Sequence, residues 1–171
     1  MVKKTENMED LMDIARRMRI DIVKMINAAG TGHPGGSLSA IDIIVGLYFS
    51  KMNHSPSHKP GDKRDRFVLS KGHAAPALYA VLAECGYFDK SELSTLRKEG
   101  SILSGHAYAA TPGVEVTAGS LGQGLSQANG LALANRLNGD GSNVYCIIGD
   151  GEMQEGQIWE AAMTAAHYKL G

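Results

Sequence analysis

One segment constrains the fold of this chain most: an apolar run that ends in Gly-Asp-Gly and leads into a helical pattern. The run over residues 144–148 is typical of a buried parallel strand, and Trp159, Ala162 and Ala166 follow at helical spacing. A strand, loop and helix in this order place Asp150 at the carboxyl end of the strand, where α/β proteins bind ligands. The segment therefore predicts an α/β fold with a binding site at its sheet edge.

The Gly-Asp-Gly loop itself has two interpretations. Gly149 and Gly151 let anionic oxygens approach the backbone, Asp150 is a hard oxygen ligand for Mg²⁺ or Ca²⁺, and a helix N-terminus attracts negative charge. A metal-bound diphosphate fits such a loop. The alternative is a tight turn before a helix, and one carboxylate does not make a metal site.

Glycine-rich motifs elsewhere favour the functional interpretation. Three of the six histidines, His33, His73 and His106, directly follow a glycine. They belong to the segments Gly32–Gly36, Ser70–Ala74 and Ser104–His106, and a further glycine-rich segment spans Gly119–Ser126. His54, His58 and His167 lie in a polar loop or late in a helix, where positions at the surface or behind a site are expected.

Composition excludes several functional classes. The chain has 171 residues, 43% of them hydrophobic, and a formal net charge of −1, which offers no basic surface for nucleic acid. The first ten residues are charged, and no apolar run approaches membrane-spanning length, so a membrane protein is not expected. Cys85 and Cys146 are far apart in sequence, which favours reduced thiols and a cytoplasmic setting.

The chain alternates helical and strand patterns. A first helix is predicted over 9–29, ended by Gly30, and a second helix begins after an N-cap at Ser37. Further helices are predicted over 75–84, 91–98 and 121–137, and strands over 66–70 and 144–148. Residues 100–119 are predicted to form a long loop, a class that is often functional. Two strands are fewer than the roughly five or six of a usual sheet, so the fold is expected to be incomplete at the C-terminus.

In this order, the motifs resemble the N-terminal half of the thiamine-diphosphate-binding domain of transketolases, particularly the form whose N-terminal section is a separate polypeptide. The matching segments are Gly32–Gly36, Leu69–Ala74, Gly105–His106, Thr111–Gly124, Gly149–Gly151 and Gln154–Gly156. The resemblance implies that residues 1–171 are the N-terminal part of the diphosphate-binding domain, with a parallel sheet flanked by helices.

The resemblance also implies an activity and its residues. Relatives transfer a two-carbon ketol unit from a ketose phosphate to an aldose phosphate, using thiamine diphosphate and a divalent metal, Mg²⁺ or Ca²⁺. By similarity, Asp150 would bind the metal, while Gly151 and His73 would contact the diphosphate. The sugar phosphate would lie against His33 and His106, which together with His73 form the expected catalytic set.

Further residues carry over to the cofactor and to an interface. Gly119 and Leu121 would line the aminopyrimidine of thiamine diphosphate, and Glu155 would lie close to the cofactor. Glu155 and Glu160 would lie near a subunit interface. The alternatives are that both are solvated acids on the helix surface, or that Glu155 only complements the positive charge of the helix N-terminus. Ala107 replaces the proline that commonly follows the histidine, which leaves the loop geometry at His106 open.

Two expectations concern what the chain lacks. Relatives take a metal-binding asparagine from the loop after the next strand, and an activating glutamate from a pyrimidine-binding domain. We therefore expect residues 1–171 to be inactive alone and to need a C-terminal pyrimidine-domain chain, in a homodimer of heterodimers. The alternatives are deoxyxylulose-phosphate synthase, a non-catalytic interaction module of the same fold, and a nicotinamide dehydrogenase, whose glycine pattern the chain does not match.

Overall fold

The structure, a computed structural model, describes residues 4–59 and 61–170. The α-helices are α1 (Met8–Ala29), α2 (Pro34–Leu38), α3 (Ile41–Gly46), α4 (Ala75–Glu84), α5 (Gly124–Leu137) and α6 (Gly156–Tyr168), and the strands are β1 (Arg66–Leu69) and β2 (Val144–Ile147). Shorter helical turns span Leu47–Lys51, Gly72–Ala74, Lys90–Thr95 and Glu152–Gln154.

The two strands pair in parallel, as the sequence predicts. Arg66 is paired with Val144 and Leu69 with Ile147. The amide of Ser70 donates to the carbonyl of Ile147 at 2.9 Å, which extends the pairing by one step. Both carboxyl ends therefore lie at one edge, and the chain segments that leave β1 and β2 begin side by side.

The core is built mainly from α1 and α4. The buried residues of α1 recur at helical spacing: Ala15, Met18, Ile22 and Met25. Residues 75–83 of α4 are all buried, so this helix lies inside the core rather than on its surface. The end of α1 at Gly30 is confirmed, since Gly30 has a φ of 64°, a left-handed conformation that glycine adopts without steric cost.

The prediction that Ser37 begins the second helix is wrong. Helix α2 begins at Pro34, whose fixed φ suits the first helical position, and Ser37 is buried inside it. The buried apolar residues that follow, Ile41, Ile44, Val45 and Tyr48, belong to α3 and to the turn Leu47–Lys51. His33 consequently lies directly before the first residue of a helix.

Two other predicted elements differ in detail. The segment predicted as a helix over 91–98 is a 3₁₀ turn, Lys90–Thr95, which begins where the carboxylate of Asp89 accepts from the amide of Ser91 at 2.8 Å. Helix α5 begins at Gly124, three residues later than predicted, because the glycine-rich segment before it is a loop. The remaining predicted helix and the two strands agree to within one residue.

The long loop over 100–119 contains neither helix nor strand, as predicted. An ion-pair cluster ties it to β1: Glu115 accepts from Arg64 and, at 3.2 Å, from Arg66. Cys85 and Cys146 are both free thiols. Within residues 4–59 and 61–170, no helix has the length and apolar character that crossing a bilayer requires.

Candidate active site

The structure brings the three glycine-flanked histidines together. The ring centroids of His33 and His73 are 5.5 Å apart, and those of His33 and His106 are 6.4 Å apart. His33 and His106 are exposed, while His73 is half-buried. Residues from three separate loops thus present a cluster of imidazoles to one patch of solvent.

Each histidine is held by its own local structure. His33 precedes Pro34 at the start of α2, and His73 lies in the turn Gly72–Ala74 that follows β1. The ring of His73 packs directly against Gly36. Glycine has no Cβ, and a Cβ built at this position would lie only 2.7 Å from Cδ2 of the ring, which is too close for any other residue. The small size of that glycine lets the rings of His33 and His73 approach.

The loop at His106 is well anchored despite the alanine that follows it. The hydroxyl of Tyr79 donates to the carbonyl of His106 at 2.9 Å. Ala107 is buried, and its carbonyl accepts from the amide of Ala118 at 2.8 Å. These bonds fix the backbone on both sides of the histidine, so the loop does not require a proline here.

Arg97, a cation that no sequence motif marks, joins two of these loops. It donates to the hydroxyl of Thr31 at 3.2 Å, and a Cβ on Gly105 would lie 2.7 Å from its Nε. Arg97 therefore lies between the segment that leads to His33 and the segment that leads to His106. Beside His106, a surface groove of about 540 Å³ includes Arg97 in its lining.

The electrostatic environment favours a neutral His73. Burial lowers the pKa of His73 from its usual value, and the nearby positive charge of Lys71 lowers it further. Lys71 is itself buried, and its Nζ donates to the hydroxyl of Ser39 at 3.3 Å. Lys71 is not among the site residues predicted from the sequence, although it lies in the segment Ser70–Ala74 that contains His73.

The Gly-Asp-Gly loop lies at the sheet edge, as predicted. Gly149 is buried, whereas Asp150 and Gly151 are exposed. Within the described part of the chain, no three His, Cys, Asp or Glu side chains are grouped closely enough to hold a metal ion. The exposed carboxylate of Asp150 follows β2 at the sheet edge, and its role as a metal ligand stays a prediction.

The glycine-rich loop packs between the two strand ends. A Cβ on Gly72 would lie 2.8 Å from Cβ of Ala118, so the residue before Gly119 is in close contact with the turn that carries His73. Leu121 is 37% exposed, and Gly122 has a φ of 87°. This loop thus lies next to the histidine turn, and it is connected to the Gly-Asp-Gly loop through Glu152, which accepts from the amides of Gly122 and Gly149.

Sequence reasoning missed the most connected residue of the site. Glu152 is 2% exposed and accepts hydrogen bonds from the hydroxyl of Ser70 and from the amides of Gly122 and Gly149. From the sequence, Glu152 is expected to be an ordinary acid with no role in the site. The one signal that could have found it is its place two residues after Asp150.

The two acids predicted to lie near an interface are both exposed, one before α6 and one within it. Glu155 directly precedes this helix, and a Cβ on Gly122 would lie 3.0 Å from Cβ of Glu155. Glu160 is exposed one turn further along. Trp159 and Met163, on the same helix, are 58% and 73% exposed. An apolar and acidic surface thus adjoins the glycine-rich loop.

His54 lies outside this site and is buried, not at the surface. It is 7% exposed, its Nε2 donates to the carbonyl of Tyr48 at 2.7 Å, and its Nδ1 accepts from the hydroxyl of Tyr87 at 3.0 Å. Its ring stacks on that of Tyr87. The polar composition of its surroundings in sequence concealed this structural role.

Comparison with known proteins agrees with this geometry. The family described as transketolase, thiamine diphosphate binding domain, matches residues 9–171. The chain is 48% identical over 168 residues to the 6-deoxy-6-sulfo-D-fructose transketolase subunit of a Clostridium species, covering 97% of this chain and 61% of that subunit. It is 45% identical over 166 residues to human transketolase, covering 96% of this chain and 27% of that enzyme.

Solved structures give the same result. The fold superposes on transketolase from Leishmania mexicana with a TM-score of 0.88 and 32% identity, covering 94% of this chain and 26% of that one. The chain thus spans between about a quarter and three fifths of these relatives. The family match and the shared fold agree with each other, and together they exclude the dehydrogenase interpretation. The chain belongs to the transketolase family, within its thiamine diphosphate binding domain.

Proposed function

We propose that this chain is the diphosphate-binding part of a transketolase, residues 1–171 forming the N-terminal section of that domain. In this proposal it transfers a two-carbon ketol unit from a ketose phosphate to an aldose phosphate together with a pyrimidine-domain chain. One observation carries the proposal: the cluster of His33, His73 and His106 adjoins two loops, the glycine-rich loop and the Gly-Asp-Gly loop. In the proposed function, the cofactor would bind at the two loops while the sugar phosphate binds beside the histidines, so these three parts must be adjacent.

The residues at the sheet edge fit a metal-bridged diphosphate. Asp150 is exposed and offers the hard oxygen that Mg²⁺ or Ca²⁺ prefers, and Gly151 leaves its backbone open to an anion. Lys71 is a buried cation close to His73. The charges of the site thus suit both groups, since the carboxylate of Asp150 would bind the metal and the cation Lys71 would lie near the phosphates.

The histidines have distinct roles in this proposal. His73, held neutral, donates a hydrogen bond to a diphosphate oxygen. His33 and His106 are exposed side by side, so they can hydrogen-bond to the sugar oxygens and move protons there. When bound, thiamine diphosphate supplies the carbanion chemistry that side chains lack, while the protein binds, orients and shields the reactants.

Gly119 and Leu121 would contact the aminopyrimidine. The exposed side chain of Leu121 offers an apolar surface for a ring, and Gly119 offers an unobstructed backbone, with nothing within 4 Å of a Cβ built there. Glu155 lies against the same loop at Gly122. Glu155 would therefore lie close to the cofactor, next to the loop that contacts its aminopyrimidine.

A partner chain is part of the proposal. The matched Clostridium protein is named as a subunit, which supports a division of the enzyme between two chains. The exposed Trp159 and Met163 give α6 an apolar surface, and Glu155 and Glu160 flank it. We assign this surface to the interface of a homodimer of heterodimers.

The test is a reconstitution. The full-length gene product that contains these residues is expressed with a pyrimidine-domain transketolase chain, and ketol transfer between sugar phosphates is measured with thiamine diphosphate and Mg²⁺. We expect transfer by the assembly, none by the chain alone, and a loss of at least tenfold in cofactor affinity for Asp150→Asn, with Glu99→Gln as an exposed control. Condensation of pyruvate with an aldose phosphate would indicate the synthase instead, and partner binding without cofactor binding would indicate an interaction module.

A further inference from the structure

The buried carboxylate of Glu152 connects three segments of the chain. Its Oε1 accepts from the hydroxyl of Ser70 and from the amide of Gly122 at 2.9 Å, and its Oε2 accepts from the amide of Gly149 at 2.9 Å. Ser70 follows β1, Gly122 lies in the glycine-rich loop, and Gly149 follows β2. One side chain therefore holds both strand ends and the loop between them.

These bonds are of the kind that make burial of a carboxylate tolerable. At 2% exposure, an ionised carboxylate without partners would be strongly unfavourable, whereas charge-assisted bonds from three donors replace its water shell. Two of those donors are backbone amides, which fix the position of main chain rather than of a flexible side chain. Glu152 thus constrains backbone geometry directly.

The packing around Glu152 leaves little freedom for the same segments. A Cβ on Gly124 would lie 2.5 Å from Cβ of Ser70 and 2.6 Å from its Cα, so the start of α5 touches the end of β1. Gly149 is less tightly enclosed, since a Cβ built there would be in ordinary van der Waals contact, 3.6 Å, with the side chains of Glu152 and Lys71. The hydrogen bonds and the close packing therefore fix the same junction independently.

We propose that Glu152 is a positioning residue for thiamine diphosphate, a role that rests on the proposed function. The loop that contains Gly119 and Leu121 would contact one end of the cofactor, and Gly149–Gly151 the other. By tying Gly122 to Gly149, Glu152 fixes the spacing between the two ends of the binding site. Its effect is thus greatest on a ligand that must span both ends.

Glutamine cannot reproduce this arrangement. It has a similar size and keeps one acceptor oxygen, but its amide group donates. If the oxygen faces Ser70 and Gly122, the amide group faces the N–H of Gly149, and after a flip it faces the N–H of Gly122. Either orientation sets two donors against each other and releases one backbone segment.

The first test compares a spanning ligand with a ligand for one end. Thiamine diphosphate and magnesium pyrophosphate are each titrated by calorimetry, in excess Mg²⁺, into the assembly of the partner with the full-length gene product that contains these residues. For Glu152→Gln we expect thiamine diphosphate to bind about 10- to 100-fold more weakly and pyrophosphate to change several-fold less. Ser70→Ala should lose less than Glu152→Gln, because both backbone bonds remain, and the exposed Glu99→Gln should match the wild type.

The outcomes distinguish a positioning role from a purely structural one. Equal losses for both ligands would mean general damage to the fold and would overturn the positioning role. Unchanged binding of thiamine diphosphate by Glu152→Gln would overturn it as well, while leaving the proposed function standing. If the wild-type assembly bound no thiamine diphosphate at all, the proposed function would fail and this inference with it.

A second measurement needs no variant and so does not depend on the folding of one. Amide hydrogen exchange of the unliganded chain is followed by nuclear magnetic resonance. The amides of Gly122 and Gly149 should exchange much more slowly than those of the exposed Gly119 and Gly151. Equal exchange rates at all four glycines would contradict the hydrogen bonds to Glu152 and end the proposal.

Discussion

Gly124, the first residue of α5, is in backbone contact with Ser70 at the end of β1. A Cβ on Gly124 would lie 2.5 Å from Cβ of Ser70 and 2.6 Å from its Cα. No rotation of the serine relieves a contact with its Cα, so any side chain at this position must move main chain. The last glycine of the glycine-rich loop is therefore required by the packing of a helix against a strand.

This contact predicts opposite effects for two glycines of α5. Gly124→Ala should destabilise the chain by about 1–3 kcal/mol, since it overpacks a rigid junction. Gly130→Ala, in the same helix with nothing within 4 Å of its Cβ, should stabilise the isolated chain by about 0.5–1 kcal/mol through better helix propensity. Urea unfolding of both variants measures the difference. Similar values for the two would show that the contact with Ser70 is not tight.

His54 should make the stability of the chain depend on pH. Burial is the main cause that lowers the pKa of His54 from its usual value. Since the pKa in the folded chain is below that in the unfolded chain, the stability that the neutral ring contributes is full above about pH 6.5 and is lost as the pH falls below it. The melting temperature should therefore fall between pH 7.5 and pH 5.

A glutamine at this position provides the check. Its side chain can donate to the carbonyl of Tyr48 and accept from Tyr87, but it does not titrate. His54→Gln should melt lower at pH 7.5 and show a flatter pH dependence, while His167→Gln, at an exposed position of α6, should keep the wild-type slope. An unchanged slope in His54→Gln would assign the pH dependence to other groups.

Glu115 should be important for the order of the long loop. It pairs with Arg64 and Arg66, and all three side chains are less than a third exposed. Glu115→Ala leaves two guanidinium groups without their partner, so we expect a loss of about 2–3 kcal/mol in the free energy of unfolding. Limited proteolysis should cut residues 100–119 faster in this variant. Glu99→Gln, an exposed acid, should behave as the wild type in both measurements.

Trp159 is the single tryptophan of the chain and should report assembly. Its indole is 58% exposed and donates to the carbonyl of Met153 at 3.0 Å. If α6 forms the proposed interface, mixing with the partner should bury the indole and shift its emission to shorter wavelength. Met163→Glu should weaken assembly at least tenfold, and Met12→Glu, equally apolar and exposed but on α1, should not. Unshifted emission in an assembled complex would place the interface elsewhere.

The sequence predicted the elements well where one physical signal dominates. The apolar stripe of α1, its end at Gly30 and the parallel pairing of the two strands follow from periodicity and from glycine chemistry. It was less successful where signals compete. The capping preference of serine predicted that the second helix starts at Ser37. The helix instead starts at Pro34, because a proline at the first helical position preorganises the backbone.

The motifs predicted which loops contribute to the candidate site, and the structure brings the histidines of three of these loops together. The sequence could not show which polar side chains are buried or which groups they hydrogen-bond. Asp150 and Glu152 are both acids near one glycine turn, and nothing in their spacing says that the first is exposed and the second is 2% exposed. The same holds for the buried Lys71 and for His54.

By itself, the sequence determined the kinds of element and the chemistry available at their ends, because periodicity, glycine and proline act within a few residues. Only the tertiary structure decided which side chains share a junction. The carboxylate of Glu152 meets Ser70, 82 positions earlier, because the two strands lie in parallel and end at one edge. Burial and hydrogen-bond partners are properties of that packing, so a local pattern cannot determine them.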